Sequence, residues 1–177
     1  MRTHMLFGLV TCALVAATAS APTAQNADIV VVKALLSGAN EVPGVSTGAH
    51  GTATVTLNRT LGEVSWVIDV YNLPTGLTAS HIHIAAPGTN GPVVLNFNPQ
   101  PIGISGDFRI EGKSSTIAPS PASGVLTMDD FMFSVAAGAA YVNVHTQTNG
   151  GGEIRGQTCP TSAAANTFNG IALCTLP

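Results

Sequence analysis

Alternation of apolar and polar positions at a period of two runs through most of the chain. In residues 62–73 (GEVSWVIDVYNL), Val64, Trp66, Ile68 and Val70 fall on one face, with Ser65, Asp69 and Tyr71 on the other. Residues 51–58 (GTATVTLN) set Ala53, Val55 and Leu57 against Thr52, Thr54 and Thr56. Successive side chains of an extended strand point to opposite faces, so both stretches predict half-buried antiparallel strands. Similar runs lie at 29–36, 81–84, 93–97, 107–110, 140–146 and 153–156, separated by turn chemistry such as LPTG, APGTNGP and TNGGG. About eight short strands predict a mainly β fold, an antiparallel β-sandwich or a flattened Greek-key barrel.

Two segments depart from the alternation. In LTMDDFMFSVAAG, Thr127 stands three residues before Asp130, a capping-box spacing with an acidic first turn, and Gly138 follows the apolar positions Phe131 and Val135. A short helix over 128–137, packed against one end of the β structure, is expected. Residues 99–121 are rich in Pro, Gly and Ser and predict long irregular loops.

The 177 residues, 45% hydrophobic and 8% charged, suffice for one core and predict one domain, 29–157. Arg2, an apolar run over 5–17 and small residues up to Ala19 and Ala21 read as an export signal spanning 1–21. The run is shorter than a membrane span, so a secreted or periplasmic domain without a membrane span is expected. Removing the signal leaves five basic against nine acidic side chains, a net charge of −4. Nucleic acid and anionic membranes are recognised through clustered Lys and Arg, which this chain lacks; its partner is an unknown extracellular or periplasmic one. Cys159 and Cys174, an even pair in an exported chain, predict a disulfide closing the tail 158–177, worth about 3 kcal/mol by loop entropy.

Candidate chemistry gathers on histidine. His81 and His83 in ASHIHIAAPGTNGP are i and i+2 on a predicted strand, so both rings share a face with Cα atoms about 6.5–7 Å apart. On the strand AAYVNVHT, Tyr141, Asn143 and His145 share a face, opposite Val142 and Val144. If the two strands are neighbours, three neutral imidazoles converge, a donor set for copper or zinc with copper slightly ahead. His50, Glu41, Glu153 and water are candidates for a fourth ligand. Glu41 is also a candidate partner for Arg155 in a structural ion pair. The competing reading is that the histidines only hydrogen-bond and order the glycine-rich loop after His83. No nucleophile elbow and no Ser–His–acid grouping is evident, so nucleophilic catalysis is not expected, and a binding module is favoured over an enzyme.

The stretches 36–57 (LSGANEVPGVSTGAHGTATVTL), 79–94 (ASHIHIAAPGTNGPVV) and 138–157 (GAAYVNVHTQTNGGGEIRGQ) together resemble the CHRD domain, the chordin-type module. That resemblance implies an extracellular β-sandwich and leaves molecular activity open. An HxH pair with a third histidine on a later strand is also similar to the copper half of copper-zinc superoxide dismutases. In that likeness His81, His83 and His145 match copper ligands, while the metal-bridging histidine, the zinc loop and the anion-guiding arginine have no counterpart. Three functions follow in order: an exported module binding copper or zinc, a structural or adhesive extracellular domain without metal, and a copper-dependent redox enzyme of dismutase type.

Overall fold

β1 (Ile29–Ser37), β2 (His50–Asn58) and β3 (Glu63–Leu73) form an antiparallel meander in which Val55 lies between Val32 and Trp66. The computed structural model describes residues 28–161 together with 167–168 and 171–172. The expected signal over 1–21 and Cys174, the expected disulfide partner of Cys159, lie outside the described residues. β4 (Leu77–Ile84), β5 (Val93–Asn96), β6 (Gly106–Ser114), β7 (Ala140–Thr146) and β8 (Ile154–Gln157) complete one sheet. Its order is β5-β4-β7-β8-β1-β2-β3-β6, with every neighbouring pair antiparallel. The short β9 (Cys159–Pro160) pairs with β1, and β10 (Thr167–Phe168) pairs with β11 (Ile171–Ala172).

The sheet curls because its inner face must leave water. Val32, Leu57, Ile68, Ile82, Val142, Val144 and Ile154 are fully buried and belong to one apolar cluster. Curling brings the two ends of the strand order together: Trp66 of β3 meets Phe97, just past β5, at 5.1 Å between ring centroids. Ala118, beyond β6, donates its amide to the carbonyl of Val94 in β5 at 2.8 Å. The result is a half-barrel, as the alternating pattern implied.

α1 (Met128–Ala136) carries the expected capping box between Thr127 and Asp130, and Gly138 follows with a φ of 74°. Phe131, Met132 and Val135 are completely buried, each burial contributing about 1.5–3 kcal/mol relative to exposure. β6 is longer than the predicted 107–110 and occupies part of the expected loop. Its added residues, Glu111 to Ser114, contain no apolar side chain and so gave no alternation signal; they are held by the backbone ladder to Val64–Val67. Gly112 lies there because an added Cβ would stand 2.9 Å from Cζ2 of Trp66.

Candidate metal centre

β4 and β7 are adjacent and antiparallel, with His83 opposite Tyr141, His81 opposite Asn143 and Ala79 opposite His145. Their apolar positions, Ile82, Val142 and Val144, face the core, which puts all three histidines on the outer face. One ring nitrogen from each of His81, His83 and His145 lies within 4.8 Å of the others. The tightest approach is 3.2 Å, between Nδ1 of His81 and Nε2 of His145. Two nitrogens bound tetrahedrally at about 2.0–2.1 Å stand roughly 3.3 Å apart, so this pair already has ligand spacing. The ring centroids are 4.9 Å (His81–His145), 5.5 Å (His81–His83) and 5.9 Å (His83–His145) apart.

Backbone carbonyls set the tautomers. Nδ1 of His83 donates to Gly91 O at 2.9 Å and Nδ1 of His145 donates to Gly150 O at 3.1 Å. Each bond places the proton on Nδ1 and leaves Nε2 as an acceptor, taken up by His81 Nδ1 in His145 and without a partner in His83, the arrangement by which proteins orient metal-binding imidazoles. His83 Nε2 is buried and has no hydrogen-bond partner among the described residues. Burial lowers the pKa of all three rings; that of His81 falls to about 4 through desolvation, then His145 and His83. The rings are therefore neutral at pH 7, as ligation requires.

The loop over 85–92 covers this face. Gly91 N donates to the hydroxyl of Tyr141 at 3.2 Å, and Tyr141 stacks on His83 at 4.7 Å with 5° between the rings. Arg155 of β8 also lies over the Tyr141 ring, 4.6 Å from the centroid. Its Nε donates to Asn40 O at 2.6 Å and its Nη1 to Asn90 Oδ1 at 2.8 Å. The ion pair expected between Glu41 and Arg155 is replaced by proximity. Arg155 spends its donors on Asn40, Thr89 and Asn90, and the direct ion pairs among the described residues are Arg109–Asp69 and Lys113–Glu63.

Glu41 is nonetheless buried beside this layer. Desolvation raises its carboxyl to about 7, against a lowering by Arg155 and with a further rise from Glu153. Its Oε1 lacks a hydrogen-bond partner, as does Oδ1 of Asn143. Gly152, with φ 141°, is the residue both close over: an added Cβ would lie 2.6–2.8 Å from the Glu41 carboxylate and Asn143 Nδ2.

The candidate fourth ligands do not join the triad, which among the described residues is formed by the three histidines alone. His50 occupies the same cross-strand row as His81, but through Asn143, Arg155 and Ser37. Four strand spacings of about 4.8 Å put it roughly 19 Å away along the curled sheet, where it stacks on Tyr71. Glu153 accepts from Thr146 Oγ1 at 2.8 Å and Asn149 Nδ2 at 2.6 Å. Burial works to raise its pKa, but hydrogen bonds from Asn149, Thr47 and Thr146 outweigh it, and the carboxylate serves the turn that presents Gly150 to His145. The Arg155–Tyr141–His83 stack had no signal in the sequence, because cross-strand register is not written in any one strand.

Residues 32–158 match the CHRD domain. The chain belongs to the CHRD family. CHRD domains are typically extracellular. No curated protein and no solved structure matches the chain. The matched span takes in all three histidines, Glu41 and Arg155, so the polar layer is part of the CHRD domain itself. Among the described residues no helix is long and apolar enough to cross a membrane.

Proposed function

We propose that this CHRD domain is an exported binding module that holds one transition-metal ion, copper or zinc, through His81 Nδ1, His83 Nε2 and His145 Nε2. The observation that carries the reading is Nε2 of His83: a buried acceptor without a donor, in a ring 8% exposed, directed by Gly91 toward two other imidazoles. Leaving such a group unsatisfied costs about 1–3 kcal/mol, which a bound cation would remove. In the absence of metal, Nδ1 of His81 donates to Nε2 of His145. Binding then requires that His81 move its proton to its other nitrogen, with no net proton release, and that the ring nitrogens, which lie within 4.8 Å of one another, close to ligand spacing. Export is supported by the leader-like N-terminus and by the family's extracellular setting.

A second reading draws on the same 3.2 Å contact. His81 and His145 bonded to each other, with His83 and His145 bracing Gly91 and Gly150, would hold two loops without any ion. The two readings separate on metal content. Untagged protein recovered from an export host and dialysed against zinc(II), or against copper(I) under reductant, should retain about one equivalent, and His83→Ala and His81→Ala should retain none. Wild-type protein without bound metal, or variants that keep it, would leave the loop-bracing reading standing instead.

A further inference from the structure

His83 is gripped from two directions that meet at one residue. On one side its ring lies flat on Tyr141 at 4.7 Å, and the guanidinium of Arg155 lies 4.6 Å over the same tyrosine ring. On the other side its Nδ1 proton is taken by Gly91 O, while the neighbouring Asn90 receives a hydrogen bond from Nη1 of Arg155. Thr89 O accepts from the same Nη1 at 3.3 Å. The other end of the guanidinium is anchored, through Nε, to Asn40 O at 2.6 Å. Arg155 is 4% exposed, so its geometry is not averaged by solvent.

We propose that Arg155 is the positioning residue of the histidine centre, fixing the plane of His83 through Tyr141 and the direction of its Nδ1–H through the loop over 85–92. This rests on the metal reading for its consequence, metal affinity, and on the geometry alone for its cause. A planar, forked cation suits both tasks: its face stacks on the aromatic ring while its edge donates in two directions. A lysine can supply the charge over the ring but not the fork. His145 takes no part in this grip, being held by Gly150 on a separate turn.

Outer-shell partners of metal-bound histidines typically change affinity by about 10–100-fold when removed. Zinc(II) affinity, measured by competition with a chromophoric chelator on the full chain, should therefore fall at least tenfold in Arg155→Met. Arg155→Lys should recover part of the loss. Asn90→Ala removes one of the two loop acceptors of Arg155, and with it the bond from Asn90 Nδ2 to Val42 O, at an exposed residue; with Thr89 O still in place it should weaken binding less than Arg155→Met. Combined with Arg155→Met it should add less than it costs alone, because the two share the Arg155–Asn90 contact and only the Asn90–Val42 bond is separate. Asp69→Asn, which breaks the Arg109 ion pair on β3, should leave affinity unchanged. The metal-free protein supplies the second readout: by ¹⁵N NMR, His83 should hold its proton on Nδ1 in wild type and lose that preference in Arg155→Met and Asn90→Ala, with His145 unmoved. A wild type that takes up no zinc removes the metal reading, while the His83 tautomer still judges Arg155. An unchanged His83 tautomer, equal movement of His145, or an equal loss of affinity in Asp69→Asn would overturn the proposal.

Discussion

Glu41 is the ionisable side chain whose charge this fold opposes most visibly, since burial raises its carboxyl to about 7 from an ordinary value of 4.5. A raised carboxyl binds its proton more tightly when folded. Its contribution to stability is therefore complete below about 4.5 and is lost as pH rises through 7. Glu41→Gln keeps the shape and removes the charge. Its melting temperature should match wild type at pH 4 and exceed it at pH 8, as followed by circular dichroism at the two pH values. The three histidines impose the opposite slope, because their lowered pKa values make the folded state lose stability as pH falls below 6.5. They are present in both proteins and cancel in the difference. A Glu41→Gln advantage that is the same at both pH values would show that the carboxyl is not held above its ordinary range.

Among the elements, α1 is the one whose sequence, structure and energy can be compared most directly. Thr127 Oγ1 accepts from Asp130 N at 3.2 Å, and the Asp130 carboxylate accepts from Thr127 N at 2.9 Å. Thr127→Ala should destabilise the domain by about 1 kcal/mol in urea unfolding, and Thr127→Ser by a few tenths at most. The cap was readable because both of its partners sit within four residues. The same is true of β2 and β3, where alternation alone fixes which face is buried. Reading fails where the signal lies in another strand. The end of β6 has no apolar position, and only its pairing with Val64–Val67 makes it a strand. In the candidate centre, His81, His83 and His145 were legible as same-face pairs, and their convergence followed once β4 and β7 proved to be neighbours. The distance of His50 was not legible: its type and exposure fit a ligand, but four intervening strand spacings do not. Arg155 was legible as a buried cation, yet its partners are carbonyls and an amide from turns far away in sequence rather than the nearest carboxylate motif.

At the scale of the whole molecule, the candidate centre and the closing seam of the half-barrel lie on different parts of one sheet. The centre is on the outer face of β4 and β7, while Trp66, the sole tryptophan, packs on Phe97 where the ends of the sheet meet. The apolar residues behind both belong to one contiguous cluster, from Ile82 and Val144 to Trp66 and Phe97. A core without a break predicts a single cooperative transition, so Trp66 fluorescence and far-ultraviolet circular dichroism should report the same urea midpoint. An ion held by the native state alone adds RT ln(1 + [L]/Kd), about 2.7 kcal/mol at one hundred times Kd. Because the fold melts as a unit, zinc added at that level should raise both midpoints together, although Trp66 is not among the ligands. The same zinc added to His83→Ala should move neither. If zinc shifted the circular dichroism transition and left the Trp66 transition in place, the β4–β7 part of the sheet would be melting independently of the seam. The stabilisation would then be local, and the one-core account of this CHRD domain would be wrong.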